Sequence, residues 1–231
     1  MKGIVTLSCV FGMMMTLTAT AKLSNDEVKR LNESAAVLNE LRTAPDNGIP
    51  QDLWAKAECV VVVPSLKKAA FVFGGEYGSG VMSCKNGSVW SAPVFMQLAK
   101  GSVGFQIGAQ STDLVLLVMN RRGMEKMLSN KVTLGADMSI AAGPVGRTAS
   151  AATDAQLNAE ILSYSRSQGL FAGVNLSGGA LTPDKDANAR AYGSSVEPRD
   201  VALGVAHPVL EPASAFLAAL RQSSTTSAPA N

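Results

Sequence analysis

The chain has 231 residues, 47% of them hydrophobic and 16% charged, with a formal net charge of +2. That composition can bury one sizeable core and points to a single domain. A charge this near zero excludes the extended basic face with which proteins grip duplex nucleic acid, so any recognition of anions has to come from local clusters.

Residues 1–21 read as a secretory signal. Lys2 supplies a short positive region, Ile4 to Leu17 an apolar one, and Ala19-Thr20-Ala21 an A-x-A site. Cleavage after Ala21 starts the mature chain at Lys22 and exports it, to the periplasm or to a membrane-associated position. No later run reaches the roughly 18 uninterrupted apolar residues of a spanning segment, so no transmembrane helix is expected. Loss of the leader removes one lysine, Lys2, lowering the formal charge from +2 to +1, and it removes Cys9, leaving Cys59 and Cys84. Two cysteines in an oxidising compartment suggest one disulfide; two buried free thiols are the alternative.

Ser24-Asn25-Asp26-Glu27 fits a capping box, with Ser24 as N-cap and Glu27 reaching back. Val28, Leu31, Ala35, Leu38 and Leu41 then share one face, which predicts an amphipathic helix over Ser24 to Arg42, ending before Pro45. Such a helix packs on its own domain or lies on a membrane through that face. Asp46-Asn47-Gly48 reads as a loop, and Ile49 to Trp54 as a short second helix with Pro50 near its start. From there the period changes. Cys59 to Val63 is a continuous apolar run, expected to be a strand buried on both faces and closed by Pro64. Ala69 to Tyr77 and Gly80 to Lys85 read as a hairpin around a Gly-Ser connection, with a second turn at Asn86-Gly87. Strands follow at Val89 to Leu98, Val103 to Ala109 and Leu114 to Met119. A short helix over Arg122 to Leu128 then turns Met124, Met127 and Leu128 inward.

The stretch Leu134 to Arg147 has little bulk: Ala141, Ala142 and Gly143 offer hardly any side chain, so another backbone or an acyl chain can come close. Gly143-Pro144 reads as a turn, and Asp137 and Arg147 bracket the segment as a candidate structural ion pair. Ala155 to Arg166 leads into a glycine-flanked strand over Gly169 to Leu176. Thr182 to Ala191 reads as a helix with Pro183 at its first position, Val201 to Val205 as a last strand, and Pro212 to Arg221 as a last helix. Gln222 to Asn231 is a Ser/Thr/Ala tail expected to be disordered, which leaves residues 22–221 as the folded domain. Helices at both ends of a curved, largely antiparallel, glycine-rich or barrel-like sheet make the fold class α+β.

Chemistry is sparse. A hydrolase triad needs a base, and the mature chain offers only His207, between Ala206 and Pro208, with no G-x-S-x-G elbow; no catalytic residues are expected. One histidine and two distant cysteines do not close a metal site, and Asp184 with Asp186 is too little for calcium. Gly74, Gly75, Gly78 and Gly80 match no phosphate-binding loop and fit turn and bulge geometry. No cofactor is expected. Basic pairs stand at Lys67-Lys68 and Arg121-Arg122. Lys67-Lys68 falls on what reads as a short connection between two apolar strands, placed to meet lipid phosphates while Leu66 and Phe71 dip into the interface. Ordinary solvated charge is the plainer explanation.

Several blocks together carry a family likeness: Ala57 to Pro64, Trp90-Ser91-Ala92-Pro93, Gly104 to Gln110, Leu134 to Arg147, and Tyr164 to Gly173. Over roughly Leu31 to Gly193 the chain resembles the SYLF domain family, lipid-binding and actin-regulating modules in eukaryotic proteins and free-standing exported proteins in bacteria. The resemblance implies a non-enzymatic domain that binds anionic phospholipids, phosphoinositides in eukaryotic members, helped by an N-terminal amphipathic helix and basic residues. Here Lys29 and Arg30 are the basic residues of that helix, and Lys67, Lys68, Arg121, Arg122 and Arg147 are further candidates. An exported chain without a Src-homology or FYVE module makes actin a doubtful partner and an acidic lipid other than a phosphoinositide the expected ligand. The second reading is an envelope structural or adaptor protein that binds another protein through its sheet.

Overall fold

Strands as apolar as Cys59 to Val63 and Leu114 to Val118 need cover on both faces, and the rest of the chain is arranged to supply it. The computed structural model describes residues 23–43, 48–70, 73–103, 108–128, 131–146, 156, 158–167, 170–206 and 210–225. Its strands are β1 (Cys59–Ala70), β2 (Phe73–Asn86), β3 (Val89–Trp90), β4 (Val94–Val103), β5 (Gly108–Val118), β6 (Val132–Thr133), β7 (Ile140–Ala142), β8 (Ile161–Ser167), β9 (Leu170–Gly173) and β10 (Ala180–Pro183). Its helices are α1 (Asn25–Thr43), α2 (Gln51–Lys56), α3 (Arg121–Met127), α4 (Lys185–Tyr192), α5 (Pro198–Ala202) and α6 (Ser214–Thr225), the last preceded by a 3-10 turn at Glu211–Ala213. The sheet runs β6-β10-β4-β2-β1-β5-β8-β7, with β3 on β2 and β9 on β8. Among these pairings only β7 with β8 is parallel. The class is α+β, as expected, with the sheet strongly curled into a half-barrel between N- and C-terminal helices.

Two cores follow from the two faces of β1. Val60 and Val62, with Val81, Phe95, Val115, Leu117 and Tyr164, meet buried residues of α1, α2 and α6. Cys59, Val61 and Val63 join Met82, Met96, Leu116, Leu181 and the α3 residues Met124 and Met127. Val132 of β6 and Ile140 of β7 stand at opposite ends of the sheet path yet pack into this second cluster, so it fills the inside of the curl.

The largest departure from the sequence reading lies at Pro64. The strand does not close there: β1 runs on to Ala70, and its register to both neighbours shifts across Val62–Lys67 and Val63–Leu66. This is a bulge, where a residue lacking an N–H does least harm to the ladder. Ser65 takes φ 54, and its N–H donates to Asp113 Oδ1 at 2.9 Å. Opposite the bulge, a Cβ on Gly78 would stand 2.6 Å from Val63 Cγ1, and one on Gly80 2.8 Å from Val63 Cγ2. The Gly-Ser stretch is therefore the interior of β2, left bare so that the bulge can press against it, and not a hairpin turn. Residues 71–72, between β1 and β2, lie outside the described residues. Lys67 and Lys68 thus lie within a strand, and Leu66, 4% exposed, belongs to the inner core and cannot dip into an interface.

Smaller corrections have local causes. Of the strand expected over Val103 to Ala109, residues 104–107 lie outside the described residues; β4 runs as far as Val103 and β5 starts at Gly108. Pro183 ends β10 rather than opening a helix, because the next N–H, of Asp184, is bound to Phe95 O at 2.9 Å in strand fashion; Asp184 Oδ1 then caps α4 by accepting from Ala187 N. Val201 to Val205 is not a strand: Pro198 starts α5, which buries Val201 and Ala202 and stops before Gly204 at φ 68. The final helix extends through Gln222 to Thr225, into the segment expected to be disordered. Residues 1–22 and 226–231 lie outside the described set, as does His207. No described helix is long and apolar enough to cross a membrane.

Candidate functional site

The capping box closes as expected. Ser24 N–H donates to Glu27 Oε2 at 2.6 Å and Glu27 N–H to Ser24 Oγ at 3.4 Å. Leu31, Ala35, Leu38 and Leu41 of α1 are all buried in the outer core with residues of α6 and the sheet. The apolar face of α1 is therefore spent on its own domain, and the helix offers any surface only its polar side.

Beyond the first turns of α1 the outer sheet face continues without apolar cover. Lys67 of β1 lies in register between Tyr77 of β2 and Ser111 of β5. Between these strands and α1 runs a groove of about 490 Å³, lined by Asp26, Lys29, Arg30 and Glu33 on the helix side and by Ser65, Lys67, Tyr77, Ser79 and Ser111 on the sheet side. Lys29 is exposed and 3.8 Å from Glu33, one helical turn on. Arg30 is held more firmly, 3.1 Å from Asp184 Oδ2 with its guanidinium 5.4 Å from the Phe95 ring centroid. Lys67 is exposed, and among the described residues no carboxylate pairs with it. Tyr77 is 51% exposed, a large amphipathic ring at the rim.

The other predicted basic residues do not converge here. Lys68, the next residue along β1, points to the opposite face and pairs with Glu76 at 3.4 Å. Arg121 and Arg122 start α3 past the Val118 end of β5, so the strand from Ser111 separates them from Lys67 by about 24 Å at ~3.4 Å per residue. They pair with Glu125 at 3.4 Å and Glu160 at 3.9 Å. Arg147 lies outside the described residues, so its expected pairing with Asp137 does too. Asp137 Oδ2 accepts from Thr133 N at 2.7 Å and closes a turn. Of the seven basic candidates, Lys29, Arg30 and Lys67 share one groove. Asp26, Glu33, Ser65, Tyr77, Ser79 and Ser111 were not singled out in advance. The outward alternation of Tyr77 and Ser79 becomes readable only once β2 is one unbroken strand.

A buried carboxylate paired with a half-exposed arginine anchors α1 beside the groove. Glu27, 1% exposed, receives Arg190 Nη2 at 2.5 Å. Burial pushes the Glu27 carboxyl up, but the hydrogen bonds from Arg190 and from the backbone and hydroxyl of Ser24 outweigh it and hold the group below its ordinary 4.5. A depressed folded pKa gives stability that is complete above the unfolded value and is lost as pH falls through the folded one. The melting temperature is thus expected to drop more steeply between about pH 5 and about pH 3 in the native chain than in a Glu27→Gln variant. Equal slopes would remove Glu27 as a source of acid sensitivity.

The low-bulk segment proves to be packing. The Tyr164 ring, fully buried, lies where a Gly143 side chain would be, and a Cβ on Gly173 would stand 2.9 Å from Gly143 N. An intramolecular ring and a neighbouring strand fill the space that so little bulk would otherwise leave open to an acyl chain. Cys59 and Cys84 face each other across β1 and β2 with Cα atoms 4.0 Å apart and are joined as a disulfide, one of the two arrangements the sequence left open.

A sheet whose central strands are covered on both faces by the chain's own helices and loops, with a polar, partly basic groove beside α1, defines an α+β domain with an open groove on its surface. The family model described as "Ysc84: Las17-binding protein actin regulator" matches residues 99–223, and the chain belongs to this Ysc84 (SYLF) family. It is 35% identical over 168 residues to "LAS seventeen-binding protein 3" of Saccharomyces cerevisiae, covering 71% of this chain and 36% of that one. Against "SH3 domain-containing YSC84-like protein 1" of Homo sapiens the figures are 32% over 179 residues, 74% and 52%. Against "Protein YSC84" of Saccharomyces cerevisiae they are 34% over 154 residues, 65% and 33%. The chain thus spans a third to a half of the length of these relatives, one of which is named as a binding protein and one by its SH3 domain.

Proposed function

We propose that the chain is an exported, non-enzymatic module that docks on anionic phospholipid surfaces through the rim formed by Lys29, Arg30 and Lys67. The observation that carries this reading is Lys67. It is an exposed cation without an ion-pair partner among the described residues, set in an outward sheet face beside two further cations and the half-exposed ring of Tyr77. Near an acidic bilayer each such lysine contributes about 1 kcal/mol, and the contribution falls with salt. The relatives' names point to protein partners as well. An adaptor role through the sheet is the weaker reading here, since over Cys59–Val63 and Leu114–Val118 both faces of the central strands are buried in the chain's own cores, and the open face around Lys67 is polar and charged.

Flotation of residues 22–231 with vesicles of phosphatidylcholine and phosphatidylglycerol is expected to show retention that weakens as salt is raised. Lys67→Glu removes one attraction and adds a repulsion of similar size, about 2 kcal/mol in all, so vesicle affinity should fall roughly thirtyfold. Lys68→Glu, on the other face, should cost far less. Retention that ignores lipid charge, or that survives Lys67→Glu unchanged, would overturn the proposal.

A further inference from the structure

The groove is not simply basic. Glu33 answers Lys29 at 3.8 Å, and Asp184 answers Arg30 at 3.1 Å. Two lining charges of opposite sign then stand without an ion-pair partner among the described residues: Lys67 on the sheet wall and Asp26 on the helix wall. A ligand that is only anionic gains at Lys67 but brings its charge toward Asp26 and Glu33, which costs part of that gain. One that carries a phosphate and, a few bonds away, an ammonium satisfies both walls. Lys67 and the hydroxyls of Ser65, Ser79 and Ser111 suit phosphate oxygens, while Asp26, helped by Glu33, suits an ammonium. A cavity of about 490 Å³ is ample for such a headgroup.

Resting on the reading of this groove as a headgroup site, we propose that it selects aminophospholipids, with the phosphodiester against Lys67 and the ammonium against Asp26. Phosphatidylserine, which keeps a net negative charge, is then the preferred form among acidic lipids. The same chemistry is present in a soluble glycerophosphoserine, but a bilayer adds attraction at Lys29 and at neighbouring headgroups, so the bilayer is the assigned source.

The test compares flotation of residues 22–231 with phosphatidylcholine vesicles carrying equal fractions of phosphatidylserine or phosphatidylglycerol, two lipids of equal net charge. Retention is expected to be about threefold stronger on phosphatidylserine, the size of one exposed charge pair. Asp26→Asn should erase that preference while leaving phosphatidylglycerol binding equal or slightly stronger. Lys67→Glu should weaken binding to both. Equal retention on the two lipids, or a preference that survives Asp26→Asn, would overturn the selectivity while leaving the docking surface in place; no retention on either would overturn both. Calorimetry with glycerophosphoserine should show at least tenfold weaker binding than vesicles at equal headgroup concentration, and equal affinity would overturn the assignment to a membrane.

Discussion

Gly143→Ala is expected to destabilise the fold by about 3 kcal/mol, at the upper end of what an overpacked core site usually costs. A Cβ there would stand 2.5 Å from Tyr164 Cε1 and nearer still to Cζ and the hydroxyl. The ring cannot swing away, because Tyr164 is fully buried on β8, in register with Val115 of β5 on one side and Gly173 of β9 on the other. Nor can the Gly143 backbone retreat, since Gly173 is already bare to admit it. Urea unfolding should show the lower midpoint with an unchanged slope. In a Tyr164→Ala background, itself destabilised by a cavity, the added cost of Gly143→Ala should shrink sharply, because the clashing ring is gone. An additive result would mean that the contact is not what demands glycine. Tyr164→Phe offers a milder check. The hydroxyl is buried with no hydrogen-bond partner among the described residues, and burial pushes its ionisation well above the ordinary tyrosine range. Its removal should therefore be neutral or stabilising by about 1 kcal/mol.

Removing the Cys59–Cys84 bond by replacing both cysteines with alanine is expected to cost about 3 kcal/mol. A disulfide that spans 25 positions removes that much freedom from the unfolded chain in the loop-entropy picture. Both sulfurs are buried in the inner core, where alanine leaves small cavities as well. Because neither cysteine is exposed, reductant should leave the native chain oxidised under mild conditions and act only as unfolding opens it. Without reduction, the intact mass should read two protons below that of the dithiol. A full free-thiol count, or a double variant as stable as the parent, would remove the bond from the account of stability.

These two sites also show how far the residues speak for themselves. The capping box, the amphipathic period of α1 and the inward methionines of α3 were legible because each depends on contacts within a few residues. Pro64 misled for the same reason. A proline at the end of an apolar run locally signals a stop, and only the pairing of β1 with both neighbours shows that a bulge absorbs it. Gly78 and Gly80 looked like a turn because bareness is equally what a turn needs and what a bulge pressing from the next strand needs. Val201 to Val205 carried a strand-like composition, but Pro198 and the cores behind α5 set it as a helix.

The amino-acid order alone determined the α+β class, the helical termini, the apolar central strands and the stock of charge from which a binding surface can be made. Which charges form that surface was decided by tertiary structure. Side-chain direction alternates along a strand, so the one-residue step from Lys67 to Lys68 sends neighbours to opposite faces, and the run of β5 from Ser111 to Val118 carries the chain away from the groove before Arg121 and Arg122 are reached. Asp26 and Lys67 meet across one groove because α1 packs over the bulged strand, a juxtaposition that no local pattern encodes.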